Sequence, residues 1–148
     1  MKAVVISAFP ATGKTYLQGK KTGLKIMDSD SSQYSWIQKG VRHPKFPQNY
    51  IDHIKKYFDK ADIILVSSHK IVREALVKNG IDFFLVYPSE EQKEEYLSRC
   101  EERGSDSQFI LMLEDKWEEF ISDCRCQENC KHIILKSGQY LSDVELSF

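Results

Sequence analysis

The stretch that most constrains the fold is Ala3-Val4-Val5-Ile6, followed at once by Ala8-Phe9-Pro10-Ala11-Thr12-Gly13-Lys14-Thr15. The unbroken apolar run reads as a buried strand over residues 2–7. The eight residues after it follow the phosphate-binding pattern G-x-x-x-x-G-K-[ST], with Ala8 in place of the first glycine. A loop that wraps an anion turns its backbone N–H groups inward, and Gly13 permits the angles this requires. A helix beginning near Lys14 adds its N-terminal N–H groups and the positive end of its dipole. In such a loop Pro10, Ala11, Thr12 and Gly13 supply backbone. Lys14 reaches the β- and γ-phosphates of a nucleotide, and the Thr15 hydroxyl ligates Mg2+. The plain alternative is a Gly-Lys-Thr turn with no ligand. A left-handed requirement at Ala8 would strain that residue.

The rest of the chain alternates strands with helices. A short helix is expected over residues 14–19. Leu24-Lys25-Ile26-Met27 is a second strand, delivering Asp28-Ser29-Asp30 at its end. Residues 31–47 are polar and irregular. From Gln48, helical spacing places Tyr50, Ile51, Ile54, Tyr57 and Phe58 on one face. Ile63-Ile64-Leu65-Val66 is a third strand, leading to Ser67-Ser68-His69. The helix after it turns Ile71, Val72, Ala75 and Leu76 inward and ends at Asn79-Gly80. Phe83-Phe84-Leu85-Val86-Tyr87 is a fourth strand. Ser89-Glu90-Glu91-Gln92 has the form of a capping box, opening a helix to about Arg103-Gly104. A further helix over about 107–124 turns Ile110, Leu113, Trp117, Phe120, Ile121 and Cys124 inward. His132-Ile133-Ile134-Leu135 is the fifth strand.

Unbroken apolar strands mark a sheet covered on both faces, hence parallel with helical crossovers. The expectation is a three-layer α/β/α domain with a five-stranded parallel sheet, one domain over residues 1–148. A length of 148 residues is enough for a real core. A net charge of −1 gives no basic field for tight nucleic-acid binding. No apolar run is long enough to span a bilayer. The first strand starts at the N-terminus with no signal-peptide pattern, so a cytoplasmic setting with free thiols is expected.

The order of elements resembles the small P-loop kinases, that is, the nucleoside monophosphate kinases with the shikimate and gluconate kinases. The residues that carry the resemblance are the loop Ala8–Thr15, Asp28-Ser29-Asp30 after strand two, Arg99 and Arg103, and the loop after strand five. The compact form also resembles P-loop kinases encoded by bacteriophages. The resemblance implies sheet order 2-3-1-4-5, with ligands at the strands' C-terminal edge. It implies ATP and Mg2+ as cofactors, with Asp28 holding the metal through water and Asp30 facing the acceptor. Two aspartates in a solvated turn are the alternative. Residues 31–47 correspond to the acceptor-binding segment, where Tyr34 and Trp36 offer stacking surfaces and Arg42 and Lys45 offer charge. Trp36 packed under a loop is the alternative. Gly138, after strand five, falls in the family's nucleotide-binding loop.

Arg99 and Arg103 lie one helical turn apart, before the flexible stretch Gly104-Ser105-Asp106-Ser107. The resemblance makes about 99–108 a lid whose arginines neutralise the transferring phosphoryl group. A Glu95–Arg99 pair at i,i+4 spacing is the alternative. Strand three carries Ser67-Ser68-His69 where many P-loop enzymes carry a metal-side aspartate. This leaves Asp28 as the metal-side carboxylate. His69 is read as lining the acceptor site or as an ordinary surface residue. Arg73, like Lys70, either holds an acceptor phosphate or is solvated. Cys124, Cys126, Cys130 and His132 do not match a structural-zinc spacing. The reading is an ATP- and Mg2+-dependent phosphotransferase for a small acceptor, with a nucleoside monophosphate first. A hydroxyl on a metabolite or on a modified base in DNA is the second acceptor class. A nucleotide-binding regulator without catalysis is the third reading.

Overall fold

The structure, a computed structural model, describes residues 3–13, 24–29, 36–38 and 41–143; for residues 36–38 and 41–42 it describes the backbone alone. The helix expected over 14–19 lies outside the described residues. In chain order the elements are β1 (Val4–Ala8), β2 (Ile26–Asp28), β3 (Trp36–Gln38), β4 (Val41–Arg42) and α1 (Gln48–Lys56). There follow β5 (Ile63–Ser67), α2 (Lys70–Lys78), β6 (Phe83–Pro88), α3 (Lys93–Glu102), α4 (Ser107–Arg125) and β7 (Lys131–Leu135). Short 3-10 turns span Glu90–Gln92 and Leu141–Asp143.

Five strands form one sheet in the order β2-β5-β1-β6-β7, every pair parallel. Numbered among themselves, these are strands 2-3-1-4-5, as the resemblance implies. The register sets Asp28 beside Leu65, and Ala8 beside both Ser67 and Val86. The C-terminal ends of β2, β5 and β1 therefore meet along one edge.

Alternate residues of β1, β5 and β6 enter opposite cores, which is why those strands are apolar throughout. On the edge strand β7 only Ile133 and Leu135 face a core, and Ile134 is 52% exposed. Val5, Ile64, Val66 and Leu85 pack with Tyr50, Ile51 and Ile54 of α1, Val72 and Leu76 of α2, Tyr96 of α3 and Trp117 of α4. Ile6, Ile63, Leu65, Val86 and Leu135 form the second cluster with Leu141. No helix among the described residues is long and apolar enough to cross a membrane.

Several local expectations change. The segment 31–47 holds a short antiparallel pair, β3 with β4, which its polar composition hides. On α2 the inward residue is Arg73, 2% exposed, while Ile71 is 46% exposed. The capping box does not close, because Ser89 makes no side-chain cap bond. Instead the Gln92 amide donates to Ser89 Oγ at 3.0 Å and to the Leu135 carbonyl at 2.6 Å, tying α3 to the end of β7.

Candidate nucleotide site

The loop after β1 is built from its first residue. Phe9 N–H donates to the Val86 carbonyl at 2.9 Å, extending the ladder one step beyond the strand. The Phe9 ring meets Tyr96 and Trp117 edge-on, at centroid distances of 6.1 and 5.6 Å. Thr12 Oγ1 donates to the Phe9 carbonyl at 2.7 Å and closes the loop. Ala8 stays within the strand, so the expected strain does not fall there. It falls on Ala11, whose φ is +65°, while Gly13 takes φ +94° without a side chain to clash. Pro10, Ala11, Thr12 and Gly13 thus lie in one anchored loop. Lys14 and Thr15 lie outside the described residues.

A second loop crosses the first. Leu141 N–H donates to the Thr12 carbonyl at 2.9 Å. The Tyr140 ring covers Gly13 so closely that a Cβ there would lie 3.0 Å from Tyr140 Cδ1. Arg99 joins the two loops. Its Nη1 donates to the Ala11 carbonyl at 3.0 Å, and its Nη2 donates to the Gln139 carbonyl at 3.1 Å and to Glu95 at 2.8 Å. Its guanidinium lies between the rings of Tyr96 and Tyr140, 4.4 and 3.8 Å from their centroids. Glu95 also accepts from Ser137 Oγ at 2.6 Å and from Gly138 N–H at 3.1 Å. Burial pushes the Glu95 carboxyl upward, but the bonds from Ser137, Gly138 and Arg99 outweigh it and hold the group below its ordinary value. Gly138, expected at the nucleotide, spends its N–H on Glu95.

This placement corrects the lid. Arg99 is 8% exposed and holds the two loops together rather than facing an open site. Arg103 is the last residue of a closed helix end, where Gly104 N–H bonds Glu101 and Ser105 N–H bonds Cys100. Gly104 supplies the φ of +77° that this cap needs. Asp106 then caps α4 by accepting from Gln108 N–H at 2.9 Å. Residues 103–106 are therefore a capped helix–helix turn. The Arg103 side chain donates to Ser105 Oγ at 2.9 Å within that turn.

Along the adjoining strand edge, Asp28 ends β2 and Ser67 ends β5. Ser29 N–H donates to the Leu65 carbonyl at 2.8 Å, and the Ser29 carbonyl accepts from Tyr50 OH at 2.6 Å. The hydroxyls of Ser29 and Ser67 are buried without a hydrogen-bond partner. By register Asp28 and Ser67 fall on the same face of the sheet and Ser29 on the other, so a hydrated Mg2+ at Asp28 would satisfy the Ser67 hydroxyl alone. Asp30 and Tyr34 lie outside the described residues, as do the side chains of Trp36 and Arg42.

His69 is exposed at the N-terminus of α2. Arg73, expected at an acceptor phosphate, is instead committed to structure. It donates to the Ser68 carbonyl and to Gln127, each at 2.8 Å, and pairs closely with Asp123. Ser68, His69, Lys70 and Arg73 nevertheless line one small cavity with Phe9 and Pro10.

Cys100 and Cys124 pack in the core with Cys130 against it, and Cys126 is exposed. Cys124 is buried, and burial pushes its thiol up to about 11. His132 bonds Tyr87 OH at 2.9 Å and the Gln127 carbonyl at 2.7 Å. Among the described residues no group of three or more His, Cys, Asp or Glu side chains could hold a metal ion.

Sequence reasoning missed Tyr140, Gln139 and Asp123. The spacing of Glu95 and Arg99 was the signal for the clamp that forms. No protein-family model matches this chain, and no curated protein matches it.

Proposed function

We propose that the chain is an ATP- and Mg2+-dependent phosphotransferase acting on a small acceptor. The observation that carries this reading is the Phe9–Gly13 loop at the C-terminal edge of a parallel sheet. Its left-handed turns at Ala11 and Gly13 are fixed from outside by Arg99 and Tyr140. A loop held in that form keeps backbone N–H groups available to an anion without reorganising when the anion binds.

In this reading the loop receives the phosphates of ATP, and Lys14 contacts the β- and γ-phosphates. Asp28, with the Ser67 hydroxyl, would hold Mg2+ through water, and Thr15 would ligate it. Bound Mg2+ would neutralise charge on the phosphates. Asp30 orients the acceptor. Of the acceptor classes, the alcohol is favoured over the nucleoside monophosphate by one observation: Arg73, the buried cation beside the loop, is already neutralised by Asp123.

The test is phosphate transfer from radiolabelled ATP to a panel of alcohols and nucleoside monophosphates, with Lys14→Ala as the comparison. Transfer that is lost in a folded Lys14→Ala variant supports the proposal. Nucleotide binding with no transfer to any acceptor would favour a regulator.

A further inference from the structure

A cavity of about 140 Å³ opens beside the loop, walled by Phe9, Pro10, Phe109, Met112, Leu113 and Phe120. It touches the same loop that receives phosphates in the proposed function, and the present inference rests on that reading. Of the cationic side chains lining it, Arg73 is paired with Asp123. Lys70 lies 3.9 Å from Asp123 and 4.0 Å from Glu74. A phosphate drawn into this cavity would lose its water, find the buried Arg73 already matched, have only the solvent-exposed Lys70 for a cation, and face the Asp123 carboxylate. An uncharged, flat body meets no such penalty and gains from the aromatic wall.

Size narrows the class further. A dry apolar cavity of about 150 Å³ accepts one benzene molecule. A single six-membered ring matches this volume, and a fused purine would extend past the exposed rim at Met112. We infer that the phosphoryl acceptor is an uncharged alcohol with a single-ring body, the ring seated between Phe9, Met112 and Phe120. In the transfer the alcohol oxygen bonds to the γ-phosphorus of ATP as the bond from that phosphorus to the β–γ bridging oxygen breaks. ADP leaves, and the hydroxyl proton passes to solvent.

The experiment is a calorimetric titration with thymidine, thymidine 5′-monophosphate and guanosine, in Mg2+ and a non-hydrolysable ATP analogue. Thymidine is expected to bind at least tenfold more tightly than either of the others. Met112 lies at the cavity's exposed rim, and Met112→Trp should fill the space and weaken thymidine at least tenfold. Should that variant melt early, the three-ligand comparison on the natural chain still decides. The inference is overturned by failure of thymidine to bind, by a monophosphate or guanosine bound as tightly or more so, or by thymidine affinity unmoved in a folded Met112→Trp. If the analogue itself does not bind, the phosphotransferase reading falls and takes the inference with it. If the analogue binds and the monophosphate is preferred, only the acceptor class falls.

Discussion

Arg99 Nη1 donates to the carbonyl of Ala11, 3.0 Å away, and so ties α3 to the left-handed non-glycine residue of the loop. The same guanidinium holds Glu95 and Gln139 and is covered by two tyrosine rings. It acts on the loop's shape, so its removal should register in stability and in nucleotide affinity together.

Arg99→Met is therefore expected to lower stability by about 1.5–3 kcal/mol, the range for hydrogen bonds to a charged group. The Ala11 and Gln139 carbonyls lose their donor, while the partly exposed Glu95 keeps Ser137 and Gly138. A thermal melt beside an ATP titration checks this. Lost turnover with an unchanged melt and unchanged ATP affinity would restore Arg99 to the role of a lid arginine.

Ala11→Gly should move the protein the other way. A left-handed alanine costs about 1–2 kcal/mol. Glycine gives back about 0.4–1 kcal/mol through the greater freedom of the unfolded chain. The expected net effect is a rise in stability of between zero and about 1.6 kcal/mol. The substitution should also recover part of what Arg99→Met loses. A lower melting temperature for Ala11→Gly would mean that the methyl group is packed rather than strained.

The sheet was legible because unbroken apolar strands have one stable arrangement, buried between layers with parallel neighbours. Asn79-Gly80 was legible for a similar reason: a helix end with glycine at its left-handed position is a local rule. The site was legible only where it too is local. Ala8 drew attention by departing from a pattern, yet the strain lies three residues on, where the loop's path is set by Phe9, Thr12 and Arg99. Arg73 and Arg99 looked like ligand cations because a sequence shows charge and not the carboxylate that meets it. Asp123 is 50 residues from Arg73, and no spacing rule reaches that far.

Glu95 makes the crossing of the two loops sensitive to acid. Its folded value lies below the ordinary carboxyl value, so the stability it contributes is present in full above that value. That stability is lost as pH falls through the lower folded value. Wild-type protein should therefore lose stability below about pH 4.3, the ordinary glutamate value, more steeply than Glu95→Gln. Melting temperatures of both proteins between pH 7 and pH 3 give the comparison. Parallel curves would mean that the bonds from Ser137 and Gly138 contribute nothing in solution.

The strand edge offers a test in which a structural role and a metal role give opposite signs. The Ser67 hydroxyl is buried and unpartnered, a state that costs about 1–3 kcal/mol. Ser67→Ala removes that cost, so the metal-free protein should melt at a higher temperature. If the hydroxyl receives a hydrogen bond from a Mg2+ water, the same variant should need more Mg2+. Losing one ordinary hydrogen bond, about 0.5–1.5 kcal/mol, raises the half-saturating concentration about two- to tenfold. Asp28→Asn removes a charged acceptor, worth about 1.5–3 kcal/mol, and should raise it about ten- to a hundredfold. The measurement is phosphate transfer across a Mg2+ titration for all three proteins, beside melts in chelator. A Ser67→Ala variant that is stabilised and also more demanding of Mg2+ places the metal at this edge. Identical Mg2+ curves for Ser67→Ala, Asp28→Asn and the natural chain would remove it, and the unmet hydroxyl of Ser67 would then be a cost of the fold alone.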